Sequence, residues 1–196
     1  MKTKHPRTRK LLKKKSHPII ELYFEIAQLK NLYRQGWLER GISEKECETV
    51  ADHTFSMALL AYCTAEEYRK DLDALHVMRL VMFHELGEIY AGDITPGDNI
   101  SSEEKHQREL AGIQQVLSNF PNAQKYIEYW EEYENRETPE AQFVYQIDKL
   151  EMVLQAFVYE KSGQEDLDEF FVSVKKHMHD PEIKKIYNDL IRLRKE

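Results

Sequence analysis

Glycine and proline are scarce in this chain, at 7 and 6 of 196 residues. Proteins built from many short strands need frequent turn residues, and no run of strictly alternating apolar and polar positions is present, so an all-β architecture is excluded. Two cysteines, Cys47 and Cys63, are too few for a disulfide framework and lack paired metal-ligand spacing. Cys63 lies in an apolar run and is expected to be a buried, inert thiol, which suits a reducing cytoplasm. The uncharged apolar stretch at residues 54–65 falls far short of the roughly 20 apolar residues that cross a bilayer. The N-terminus has no apolar segment of the secretory kind. A cytoplasmic protein with no membrane partner is therefore expected.

Several catalytic signatures are missing too. No GxSxG, P-loop or dinucleotide fingerprint occurs. A zincin needs H-E-x-x-H, but the run from His84 ends on Glu88. A di-iron bundle needs two E-x-x-H pairs, and Glu103 with His106 is the single match.

What is present reads as one globular domain. A length of 196 residues with 41% hydrophobic composition can bury a single sizeable core. The net charge of −7 conceals a split: residues 1–17 hold eight Lys or Arg and no acid, which leaves 20 basic against 35 acidic residues, a net −15, in the remainder. The basic stretch is expected to be a disordered, solvated tail ahead of one domain over 18–196. An acidic body disfavours nucleic acid as a partner. It also means that a phosphate substrate would need local positive charge.

Apolar spacing predicts helices near 18–33, 45–69, 73–87, 102–119, 121–135, 139–161, 166–178 and 181–194. Pro18, Pro121, Pro139 and Pro181 stand where first turns could begin, and Thr138, Asp180 and Ser101 read as N-caps. Phe143, Ile147, Leu150, Leu154 and Phe157 form a stripe at helical spacing. Residues 55–65 and 75–83 are apolar nearly all round, as in helices at the centre of a bundle. The expected fold is a compact all-α helical bundle with two buried central helices. Gly87, Gly92, Gly97 and Pro96 in HELGEIYAGDITPGDN predict a shaped loop after a helix, a common place for function.

Each central helix carries a histidine beside an acid: Asp52-His53 and His84-Glu85. Burying imidazole or carboxylate unpartnered costs a few kcal/mol for a neutral polar group, roughly, and more for a charge. A divalent ion shared between the helices would satisfy both pairs. His84 and Glu85 point about 100° apart on a helix and converge most readily at its end. Glu88 follows one turn later on the His84 face. Asp148 lies beside the 143–157 stripe and can reach the core margin. Mixed His and carboxylate ligands suit Mn, Fe, Co, Ni or Zn.

The ordered set His53, His84-Glu85 and Asp148 resembles the H…HD…D signature of the HD-domain superfamily. RQGW at 34–37, ETVADHTFSMALLA, HELGEIYAGDITPGDNI, EEKHQRE, WEEYE and QIDKLEMVLQA match its 5′-deoxynucleotidase family in order and spacing, over roughly residues 19–195. The resemblance implies a helical, commonly homodimeric enzyme that hydrolyses deoxynucleoside 5′-monophosphates. It implies that His53, His84, Glu85 and Asp148 hold a transition metal, with Mg as a further candidate ion. Glu88 and Asp93 would handle the water and substrate, or a second ion. Arg34, Trp37, Arg40 and Lys105 would meet the nucleotide, with Trp37 against base or sugar. One residue departs from the pattern: Glu85 stands where the family has Asp. A longer side chain keeps the carboxylate but alters its reach. Alternatives are an HD phosphohydrolase acting on another nucleotide, a non-catalytic metal- or nucleotide-binding domain, and a nucleic-acid adaptor using the basic arm.

Overall fold

The computed structural model describes residues 2–4, 16–163 and 167–196. Among them the regular elements are helical: α1 (Pro18–Ile26), α2 (Gln35–Glu39), α3 (Val50–Tyr68), α4 (Ala74–Phe83), α5 (Glu88–Ala91), α6 (Ser102–Val116), α7 (Ala123–Asn135), α8 (Pro139–Lys161), α9 (Asp168–Lys175) and α10 (Pro181–Arg194). A 3-10 turn covers Pro96–Asp98. Most of the expected basic tail, residues 5–15, lies outside the described residues, as does the expected helix start at 166. Thr3 forms an isolated bridge with Leu32, and the Lys4 amide donates to the Asn31 carbonyl at 2.8 Å.

The expected caps hold: Ser101, Thr138 and Asp180 accept amides in the first turns of α6, α8 and α10, and His17, not expected, caps α1. Pro18, Pro139 and Pro181 open their helices, whereas Pro121 sits in a turn and α7 begins two residues later, at Ala123. Helix α3 starts at Val50 rather than near 45. The Thr49 amide and hydroxyl donate to Asp52 Oδ2 at 2.8 and 2.7 Å, and the Asp52 amide returns to Thr49 Oγ1 at 3.2 Å. That reciprocal pair closes the helix end. Asp52 is thus a cap, not the metal-seeking partner of His53 that its sequence position suggested.

The chain divides into two compact units, Met1–Thr54 with Phe83–Glu131, and Phe55–Met82 with Glu132–Glu196. In the first, Leu29, Leu32, Val50, Leu86, Ile113 and Trp130 anchor one buried cluster. The loop after α1 and the start of α3 are stitched by the Tyr33–Thr49 bridge and by bonds from the Val50 amide to the Leu32 carbonyl and the Arg34 amide to the Glu48 carbonyl, at 2.9 and 3.1 Å. Tyr90 of α5 donates to both oxygens of the buried Glu25 of α1 at 3.1 Å.

Helix α6 crosses the turn 84–87 at backbone contact. A Cβ on Gly87 would stand 2.6 Å from the Glu109 carbonyl oxygen, and one on Gly112 would strike the Gly87 carbonyl. Only two glycines permit this approach. Gly112→Val is therefore expected to destabilise the protein by about 1–3 kcal/mol, as overpacking does, and a denaturant titration would read the shift. An unchanged midpoint would mean the crossing is not held this tightly.

In the second unit α8 packs against α9 and α10. Phe143, Ile147, Leu150, Val153 and Ala156 are buried along it, while Leu154 and Phe157 of the expected stripe are half-buried. The all-round apolar runs of α3 and α4 divide into two faces. Met57, Ala61, Ala65, Val77, Leu80 and Val81 are buried. Phe55, Leu59, Tyr62, Leu75 and Met82 are exposed instead. Cys63, expected inside, is also exposed, because it follows Leu59 by one turn on the outward face; Cys47 is the buried thiol.

Candidate metal centre

Helix α4 ends at Phe83, so His84 and Glu85 occupy a turn rather than a helix. Freed from helical spacing, their side chains converge: His84 Nε2 lies 3.3 Å from Glu85 Oε1. His53, in the first turns of α3, brings its Nε2 to 3.8 Å from the same oxygen. The two imidazole rings stand 5.6 Å apart between centroids, tilted by 55°, and both are buried. Two nitrogens and a carboxylate oxygen facing one another in the interior form a donor set that suits a borderline transition metal.

Arg34 closes one side. Its Nη1 lies 3.4 Å from Glu85 Oε1 and 3.3 Å from Asp93 Oδ1. The Gln35 amide donates to Asp93 Oδ2 at 2.5 Å. Asp93 follows Gly92, whose φ of 87° lies in the left-handed region that glycine favours. Trp37 is only 3% exposed, and its indole N–H donates to Glu48 Oε1 at 2.7 Å. That bond ties α2, which follows Arg34, to the segment before α3. Arg40 is exposed just past α2.

The carboxylates of this unit divide by environment. Burial disfavours ionisation of Glu85, but the adjacent His84 and Arg34 outweigh it and hold its pKa well below the ordinary range. Glu88 is pushed well above that range by burial and by the charges of Glu85 and Asp93. Its Oε2 has no hydrogen-bond partner among the described residues. Lys105, half-exposed on α6, sits 3.5 Å from the buried Glu109. Burial works against its charge, but Glu109, Glu88, Glu85 and Asp93 outweigh that and raise its pKa.

Glu109 was not singled out from the sequence. Its position in EEKHQRE, one turn after Lys105, was the available signal. Glu85, Glu88, Asp93 and Glu109 together outnumber Arg34 and Lys105, a local acidic excess that favours a cation. Asp148 belongs to the second unit. It is buried on α8, accepting from Tyr133 Oη at 3.3 Å and from Lys149 Nζ at 2.8 Å.

Comparison with known proteins gives the family. A family model described as the HD domain matches residues 26–190. The 5′-deoxynucleotidase HDDC2 of Bos taurus is 38% identical over 171 residues, covering 84% of this chain and 80% of that protein. The 5′-deoxynucleotidase hdd1 of Schizosaccharomyces pombe is 34% identical over 191 residues, covering 93% of each. A crystal structure from Pyrococcus horikoshii superposes with a TM-score of 0.74 at 31% identity, covering 89% of this chain and 99% of that one. The chain belongs to the HD-domain family, and within it to the family of these 5′-deoxynucleotidases.

Proposed function

We propose that the protein is a metal-dependent 5′-deoxynucleotidase, which hydrolyses a deoxynucleoside 5′-monophosphate to deoxynucleoside and phosphate. The observation that carries this reading is the convergence of His53 and His84 on Glu85 Oε1 beside Arg34 and Asp93. His53, His84 and Glu85 are the ligands this unit offers, and the resemblance adds Asp148 to the set. A bound divalent ion would supply charge neutralisation at the phosphate and lower the pKa of water.

The chain's own residues do the positioning. Arg34 and Lys105 supply the positive charge that an acidic body otherwise lacks, and hold phosphate oxygens. Arg40 is a peripheral phosphate contact. Glu88, with its raised pKa, takes the proton of the attacking water. Asp93, fixed by Gln35 and Arg34, orients the sugar and the leaving 5′-oxygen. Water attacks phosphorus, the P–O5′ bond breaks, and the proton held at Glu88 is available to the departing oxygen.

A phosphate-release assay tests the reading. Chelated protein would be resupplied with Mn, Co, Fe, Ni, Zn or Mg in turn and offered matched ribo- and deoxynucleoside monophosphates. Release that requires a transition ion and prefers the deoxy sugar is expected. Hydrolysis of triphosphates or cyclic nucleotides alone would transfer the chemistry to another HD activity.

A homodimer is part of the same reading. Phe55, Leu59 and Tyr62 fall on one face of α3 at i, i+4 and i+7, and are 67, 51 and 37% exposed. A second copy would cover such a face. Leu59→Glu is expected to convert the dimer to a monomer, read by light scattering; a wild-type monomer would remove the dimer. A reducing compartment such as the cytoplasm suits Cys47, whose thiol is pushed up to about 12, by burial first and then by Glu48 and Asp93. No described helix is long and apolar enough to cross a membrane.

A further inference from the structure

The second unit holds a group of basic side chains to which the proposed reaction assigns no role. Tyr145, on α8, is its centre. The Arg136 guanidinium carbon stands 4.0 Å from the Tyr145 ring centroid, and Lys149 Nζ stands 5.1 Å from it. The His177 ring meets the Tyr145 ring edge-on, with centroids 5.4 Å apart and planes at 88°, and its Nδ1 lies 3.4 Å from the phenol oxygen. Burial lowers the His177 pKa, and Lys176, Lys149, Arg136 and His179 lower it further. Two charged groups, Arg136 and Lys149, and one imidazole thus gather around a single ring, on a protein whose body is strongly acidic. The carboxylate paired with the group is that of Asp148, which Lys149 meets at 2.8 Å.

Arg136 is held in a defined pose. It ends α7 with φ at 56°, its amide donates to the Glu132 carbonyl at 3.0 Å, and Gln142 Nε2 donates to its own carbonyl at 3.1 Å. A non-glycine residue in the left-handed region is uncommon. A guanidinium placed over a ring face contacts it through its carbon and still has N–H donors to offer a planar or tetrahedral oxyanion. Arg136 is exposed, and Lys149 and His177 are partly so, so an anion from solvent can reach them.

We propose that Arg136, Lys149 and His177, arranged around Tyr145, form a binding site for a phosphate group. The donors are one guanidinium fork, one ammonium and one imidazole N–H. The phosphate could be free inorganic phosphate, the product of the proposed reaction, or the polyphosphate of a nucleotide. Binding there does not depend on turnover, so it stands or falls separately from the deoxynucleotidase reading.

The full chain would be titrated with inorganic phosphate and, separately, with a deoxynucleoside triphosphate, while histidine ring resonances are followed by NMR. A saturable shift of the His177 resonances is expected, weakened about tenfold in Arg136→Asn, a substitution that tolerates the left-handed backbone. Lys149→Gln should weaken it similarly, and circular dichroism melts would confirm that both variants are folded. Saturation by the triphosphate at much lower concentration would assign the site to a nucleotide; equal or better binding of inorganic phosphate would assign it to product. No shift at His177 with either ligand, or shifts unchanged in both folded variants, would overturn the proposal.

Discussion

Replacing His53 with alanine is expected to lower phosphate release by about a thousandfold and to leave the purified protein largely free of divalent ion. The reasoning is energetic. A Lewis acid at a transferring phosphoryl group supplies several kcal/mol of transition-state stabilisation, and about 4 kcal/mol corresponds to a factor near 10³. His53 is fully buried, and its Nε2 stands 3.8 Å from Glu85 Oε1 and its ring 5.6 Å from that of His84, so no neighbouring side chain can be expected to replace it. Truncation also leaves a cavity, so the variant's melting must be compared with His53→Gln, which fills more of the space. Both variants should lose metal. If either binds the ion stoichiometrically, His53 is not a ligand.

Glu88→Gln is expected to reduce turnover by about 10²–10⁴-fold, the usual contribution of a positioned general base, while leaving metal content intact. Glutamine preserves size and removes the carboxylate. The effect should appear in kcat rather than in KM, because the proton is taken during reaction and not on binding. Glu88 is buried, and Glu85 and Asp93 raise its pKa further, so the substitution also removes an electrostatic conflict. The variant should be at least as stable as the parent. Lost activity with lost metal would reassign Glu88 as a ligand; undiminished kcat would remove it from the chemistry.

The helical architecture was legible because capping residues and apolar spacing agree along most of the chain. Thr138-Pro139 and Asp180-Pro181 mark their helix starts to the residue. The pattern was less informative where tertiary contacts decide. Helix α2 is five residues long around Gly36, too short for periodicity to register. The segment 45–49 looks helical by composition, yet the Thr49–Asp52 cap ends the helix there. Apolarity all round α3 and α4 does not say which face is covered, and Cys63 was misassigned to the interior for that reason.

The site shows the same division. Two histidines in apolar surroundings are visible in sequence, and so is the family pattern that links them to Glu85 and Asp148. That His84 and Glu85 converge most readily at a helix end was legible too, although the helix stops at Phe83, earlier than the pattern to 87 suggested. The packing role of Trp37 was not, since its burial depends on Glu48 and the surrounding core. Glu109 gains its place from the Gly87–Gly112 crossing, a contact between segments separated in sequence. Glu85 is the residue at which the resemblance led one to expect Asp. Its pKa is held low by His84 and Arg34 despite burial, so the longer side chain still presents a carboxylate to a cation.

Anomalous diffraction from crystals soaked in Mn or Co tests the central claim most directly. The account requires one strong peak within coordinating distance of His53, His84 and Glu85, lost in His53→Ala. A peak held elsewhere, or none at saturating ion, would contradict it.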